Sequence, residues 1–197
     1  MINASLDKKL DVKQAAILES AQQAFVTYGF RKTSMDDIAR GAGISRPALY
    51  LHYKNKDDIY RTLISLYYDM AAGALSQALD RSMPLPELLK GAFLAQGGEV
   101  AEAMLTSPHG MELLDAGSSA AADLIREGEG RLSVIYALWL TRAADLGKVR
   151  FDGSAEEVAL AITTALKGIK CVVPDYATYR ARLTALAQLV GQGLTPR

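Results

Sequence analysis

The residues from Arg46 to Lys56, RPALYLHYKNK, gather the side chains of this sequence best suited to holding a polar partner. The planar donor fork of Arg46 fits guanine edges, while Tyr50, Lys54 and Lys56 suit phosphate oxygens. Pro47 and Ala48 offer van der Waals contact, to a thymine methyl for instance, but no side-chain donor. His52 has two readings, as a polar contact or as a side chain packed partly against the next helix. The competing chemistry, catalysis, finds little support. Two histidines and one cysteine make no catalytic constellation, and there is no HExxH-type metal pattern and no glycine-rich nucleotide loop after a strand. Asp36 and Asp37 are better explained by the positive end of a helix than as paired catalytic carboxylates. No metal site and no cofactor are expected, and Cys171, being alone, reads as a buried small hydrophobe.

Those side chains need elements to position them, and Thr33–Lys56 supplies them. Thr33 and Ser34 can both cap a helix, with Asp36 and Asp37 in its first turn. Met35, Ile38, Ala39 and Ala42 fall at helical spacing, and Gly43 allows the left-handed backbone of a sharp exit. Ser45 can cap a second helix running to about His52, with Pro47 tolerated in its first turn and Leu49 turned toward Ala39. The pattern predicts a helix-turn-helix whose second member can lie in a DNA major groove. Before it, Asp11 and Gln14 form a capping box for a helix ending at Gly29. That helix presents Ile17, Leu18, Ala21, Ala24, Phe25 and Tyr28 on one face.

Overall charge argues neither for nor against such a partner. The 197 residues balance to zero, but residues 1–61 hold 10 Lys/Arg against 7 Asp/Glu, placing the positive excess beside the helix-turn-helix. Lys8 and Lys9 lie on a stretch that reads as a solvated tail or as an arm toward a phosphate backbone. Half of the residues are apolar, yet no apolar run is long enough to span a membrane and the start lacks a secretion signal. The expectation is a cytoplasmic protein with no membrane partner.

The remaining chain reads as helices throughout, with no strand alternation and no repeat. Asn55 can cap a helix from Lys56 to about Leu79. Helical pattern follows at 87–95, 99–105, 108–114 and 119–146, with pauses at Gly97–Gly98 and Gly117. Ser154 with Glu157, and Asp175, open the last two helices. This is an all-α fold of about nine helices. It divides into an N-terminal three-helix helix-turn-helix domain with its arm, 1–54, and a larger C-terminal helical domain, 55–197. Phe93, Met104, His109, Met111, Tyr136 and Trp139 mix apolar bulk with a few polar handles and can line a cavity between central helices, although each also reads as ordinary core. Val158, Ile162, Ala165 and Ile169 on one terminal helix, with Tyr179, Leu183, Leu186 and Val190 on the other, make stripes that fit a four-helix dimer interface or an internal core.

The continuous run ILESAQQAFVTYGFRKTSMDDIARGAGISRPALYLHYKNKDDIY, residues 17–60, resembles the TetR family of transcriptional regulators. The AFVTYGF segment, the DDIARGAGIS turn and the ALYLHYKNKDDIY continuation carry the resemblance in uninterrupted order. It implies a three-helix DNA-binding domain and a fourth helix leading to a ligand-sensing, dimerising domain. It also implies a dimer, usually a repressor, in which a small effector in the larger domain changes the distance between the paired reading heads. The two-fold geometry fits a homodimer on a palindromic double-stranded operator, and the apolar candidate lining permits a hydrophobic or aromatic effector. By the same resemblance Thr33 and Ser34 match the phosphate-facing start of the second helix. Arg46, Pro47 and Ala48 match the variable start of the recognition helix, and Tyr50 and Lys56 match positions near backbone phosphates. The runner-up is a helical homo-oligomeric interaction protein without DNA binding, and an all-helical enzyme ranks below it.

Overall fold

A computed structural model describes residues 11–107, 109, 110, 113 and 119–196. Among them the chain is helical, with no strand. The first helices are α1, Val12–Tyr28, α2, Met35–Gly41, and α3, Arg46–His52; then come α4, Lys56–Leu79, and α5, Leu85–Thr106. The chain ends in α6, Ala122–Asp145, α7, Ala155–Val172, and α8, Tyr176–Leu194. Among the described residues these are eight, against the nine or so expected. Gly98 leaves helical geometry, at φ 53° and ψ −159°, so at the expected pause α5 is two helical pieces joined across a kink. Most of the expected 108–114 helix, Met111 included, and the Lys8–Lys9 stretch lie outside the described residues.

Local sequence sets the helix starts. Asp11 and Gln14 exchange capping bonds at α1, and Ser34 with Asp37 does the same at α2. Ser45 caps α3, and Ser154 with Glu157 caps α7. Asp175 caps α8. Gly43, at φ 67°, makes the turn between α2 and α3 in a region that side chains disfavour.

The chain forms two compact units. The first comprises the described residues of Met1–Tyr67 and Glu99–Arg126; the second comprises Tyr68–Gly98 and the described residues of Glu127–Arg197. Packing therefore crosses the 54/55 boundary: the first turns of α4 and part of the 99–126 stretch cluster with the N-terminal helices.

The core of the first unit joins Ile17, Leu18, Ala21 and Phe25 of α1 to Ile38 and Ala39 of α2, Leu49 of α3, and Ile59 and Tyr60 of α4. Three rings meet there, Phe25 lying 5.0 Å from Phe30, and Phe30 5.4 Å from Tyr60. Burial drives the Tyr60 hydroxyl pKa up to about 12, and that hydroxyl donates to the carbonyl of Leu113 at 3.3 Å. Ser107 is tied to α1 through a 2.6 Å bond to the Val26 carbonyl. Arg61 grips Asp123 with two 2.7 Å bonds and the Ala120 carbonyl with a third.

In the second unit Phe93 and Tyr136 sit fully buried with their rings 6.1 Å apart. α6 runs unbroken through Gly128 and Gly130. Gly128 is where the Tyr68 ring presses on α6: a Cβ there would lie 2.2 Å from the ring. α7 and α8 pack on each other, burying Ala159, Ile162 and Leu166 with Tyr179, Leu183 and Ala187.

Candidate nucleic-acid interface

Leu49 roots α3 in the core of the first unit, and this decides which side of the helix faces out. On a seven-residue helix with Leu49 fully buried, Arg46, Pro47, Tyr50 and Leu51 become exposed together. These positions are spaced i, i+1, i+4 and i+5, which places them on one helix face. Ala48 and His52 flank it half-buried, and Lys54 follows exposed. Leu51 is absent from the residues singled out by sequence. At 86% exposure it is the most exposed large apolar side chain of α3. Its signal was available, because Leu49 and Leu51 cannot both point inward on one helix.

Arg46 is ordered on this face. Its Nη1 donates to Asp36 Oδ2 of α2 at 3.0 Å and its Nη2 to the Tyr50 hydroxyl at 3.4 Å. The guanidinium also lies over the Tyr50 ring, 5.6 Å from its centroid. The Tyr50 bond first, and the Asp36 charge second, raise the Arg46 pKa further. At the start of α2, Ser34 is exposed and shares its hydroxyl and amide with Asp37, at 2.6 and 3.0 Å. These bonds, and then the charge of Arg40, hold the Asp37 carboxyl below its usual range.

Two residues expected at phosphates are otherwise engaged. Thr33 is 2% exposed, and its hydroxyl donates to the carbonyls of Gly29 at 2.8 Å and Ala24 at 3.2 Å. A threonine before a helix can cap it or tie down the preceding turn, and here Ser34 caps while Thr33 ties. Lys56 directs its ammonium at the carbonyls of Phe30, Arg31 and Thr33, at 2.7, 3.0 and 3.2 Å, and over the Phe30 ring at 4.8 Å. An ammonium has three protons, and three carbonyls take them. Lys56 is thus a clamp on the turn before α2.

Residues 17–63 match the family model described as bacterial regulatory proteins, tetR family. Over this stretch the chain is similar to the tetR family of regulatory proteins. The transcriptional regulator EthR of Mycolicibacterium smegmatis is 39% identical over 74 residues, 38% of this chain and 34% of that protein. The transcriptional activator FasR of the same organism is 31% identical over 85 residues, 43% of this chain and 39% of that protein. The matches therefore span well under half the length of these relatives. The solved structure of the fatty acid degradation regulator FadR from Bacillus halodurans superposes with a TM-score of 0.70. That superposition covers 94% of this chain and 95% of the other at 18% identity, which extends the shared helical fold beyond the TetR-type domain.

The residues proposed from sequence to line an effector cavity are divided. Phe93, Tyr136 and Trp139 are buried in the second unit, and the Tyr136 hydroxyl donates to Gln96 Oε1 at 3.1 Å. Burial raises the Tyr136 pKa well above its ordinary value. Met104 instead belongs to the core of the first unit. His109 lines an open cleft of about 940 Å³ with residues of α1 and α2, among them Glu19, Tyr28 and Arg40. The His109 amide donates to Ser107 Oγ at 3.1 Å, as a residue at a helix entrance does. Apolar type alone does not say which core a side chain enters.

The dimer stripes need a similar correction. Ile162, Tyr179 and Leu183 are 3%, 5% and 0% exposed, so the chain's own core has taken them. Val158, Ala165, Ile169, Leu186 and Val190 are half-buried. The outward large apolar side chains of α7 and α8 are Leu160, Val172 and Leu189, 60%, 67% and 70% exposed. Among the described residues no helix is long and apolar enough to cross a membrane.

Proposed function

We propose that this protein is a sequence-specific, DNA-binding transcriptional regulator that reads a palindromic operator as a homodimer and answers to a small effector. The observation that carries the reading is the outward face of α3, where Arg46, Pro47, Tyr50 and Leu51 stand together, rooted by the buried Leu49. An arginine able to pair with a guanine, a leucine and a proline able to meet a thymine methyl, and a tyrosine near the backbone are a mixed base and phosphate set. Ser34, Lys54 and the half-buried His52 extend that set at its edges. Residues 1–54 act as the reading domain and 55–197 as the sensing and dimerising domain.

Dimerisation is supported by Leu160 and Leu189, exposed on α7 and α8, and by the geometry of a seven-residue recognition helix, which reads too few bases alone. The effector is small and hydrophobic or aromatic, a reading supported by the aromatic interior around Phe93, Tyr136 and Trp139. The name of the FadR relative, a regulator of fatty acid degradation, agrees with an apolar signal. Repression is the default sign implied by the TetR resemblance, although FasR is named an activator, and operator position relative to the promoter sets the outcome. The protein works in the cytoplasm, is not an enzyme, and needs no cofactor for this role.

Unbiased selection from a random DNA pool tests the reading. The expected result is an enriched motif with two inverted half-sites, whose binding weakens linearly with the logarithm of salt concentration. No enrichment across salt and effector conditions overturns it in favour of a helical interaction protein.

A further inference from the structure

We propose that Asp36 sets specificity: its carboxylate holds Arg46 ready for a base edge and cancels the pull of that arginine on phosphates in general. The inference rests on the DNA-reading proposal above. Asp36 and Arg46 lie on different helices, and their side chains are 49% and 57% exposed around the 3.0 Å contact. An ion pair this wet contributes little to folding, so stability does not account for it. Helix capping does not account for it either. Asp37, the neighbour, makes the reciprocal bonds with Ser34, whereas the Asp36 carboxylate turns to α3.

The contact has two consequences. The first is orientation. An exposed arginine samples many rotamers, and the bonds to Asp36 and Tyr50 with the stacking on the Tyr50 ring bias Arg46 toward one arrangement before DNA arrives. Those two bonds use two of the five guanidinium donors, which leaves donors for a base edge. The second is charge. Seen from a phosphate several ångströms away, arginine beside carboxylate is nearly neutral, and the carboxylate itself repels phosphate. Binding that depends only on phosphates is weakened, while binding that uses the directional donors of Arg46 is kept. A protein searching a long polyanion gains discrimination from that difference.

The test compares wild type with Asp36→Asn and with Asp57→Asn. Asp57 is also the second residue of its helix and is exposed, so its substitution removes a carboxylate from an equivalent helix start without touching Arg46. Each protein is titrated with its selected operator and with random-sequence duplex at several salt concentrations. Asp36→Asn is expected to bind random duplex more tightly, with a salt slope steeper by about 0.9, the value of one additional phosphate contact. Its ratio of specific to random affinity is expected to fall about fivefold, and Asp57→Asn should keep the wild-type ratio. Asp36→Ser, which keeps a small polar side chain at the helix start, serves as a second variant should Asp36→Asn fold poorly. An unchanged ratio and slope in Asp36→Asn and Asp36→Ser, or the same change in Asp57→Asn, overturns the inference while leaving the DNA-reading proposal intact. A wild-type protein that selects no sequence overturns the DNA-reading proposal itself, and this one with it.

Discussion

The reading face is carried by two helices of seven residues each, whereas α6, α7 and α8 in the C-terminal part have 24, 18 and 19. Isolated helices shorter than about 12 to 15 residues are marginal in water, so α2 and α3 cannot hold themselves. The two regions solve stability differently. Around α2 and α3, side chains bind backbone: Lys56 takes three carbonyls, Thr33 two, and Ser20 one, at 2.8 Å on Ile38. The second unit depends more on close contact between long helices, as where Gly128 admits the Tyr68 ring. Precision at a reading face thus comes from polar clamps on short pieces, and bulk stability comes from packing of long ones.

Lys56→Met tests the clamp and should have the largest effect. It keeps the stem over Phe30 but leaves three carbonyls without their charged donor. The expected loss is about 2–3 kcal/mol of folding stability by denaturant titration, the range for losing a hydrogen bond to a charged group. The folded variant should retain the wild-type salt slope on DNA. Unchanged stability with a slope shallower by about 0.9 would instead return Lys56 to a phosphate.

Gly128→Ala probes the other side of the comparison. Its Cβ meets the root of the Tyr68 ring, not a flexible tip, so the ring and its helix must shift. Overpacking of this kind costs about 1–3 kcal/mol, partly offset by about 1 kcal/mol of better helix propensity. The expected net loss is therefore smaller than for Lys56→Met. A stabilised variant would show that contact at this crossing is looser than the second unit requires.

Leu51→Ala separates reading from holding. With 86% of the side chain exposed, its removal should leave stability within about 0.5 kcal/mol. Affinity for the selected operator should fall roughly fivefold or more, the low end of a lost base contact, while random duplex binds as before. Equal loss on both DNAs would assign Leu51 to the backbone.

The contrast also explains what was legible beforehand. Helix starts were readable because a cap is a local event: Asp11 with Gln14 and Ser154 with Glu157 need only their own backbone, whereas Thr33 and Ser34 were both offered as the cap of α2. The outward Arg46 and Tyr50 were readable once Leu49 was assigned to the core. Thr33 and Lys56 were not, because a hydroxyl or an ammonium serves a carbonyl as readily as a phosphate, and only the path of the 29–33 turn decides between them. Ile162, Tyr179 and Leu183 were ambiguous for a parallel reason, since an apolar stripe is the same for an inner and an outer partner. The kink at Gly98 was legible as an interruption, but a glycine pair does not reveal whether a helix stops or bends.

Asp123→Asn is the finest test, because it concerns one exposed pair at the start of α6. The bonds from Arg61, more than any other factor, hold the Asp123 carboxyl far below its ordinary 3.8, since both oxygens accept from the guanidinium. A folded-state pKa below the unfolded one adds stability at pH values above about 3.8, and this is lost as pH falls through the folded value. The variant should therefore melt slightly below wild type at neutral pH, and the gap should close as the solution is acidified beneath 3.8. Raised salt at neutral pH should narrow the gap as well, because the pair is open to solvent and screened. A gap independent of both pH and salt would mean that Asp123 acts through packing and not through its charge.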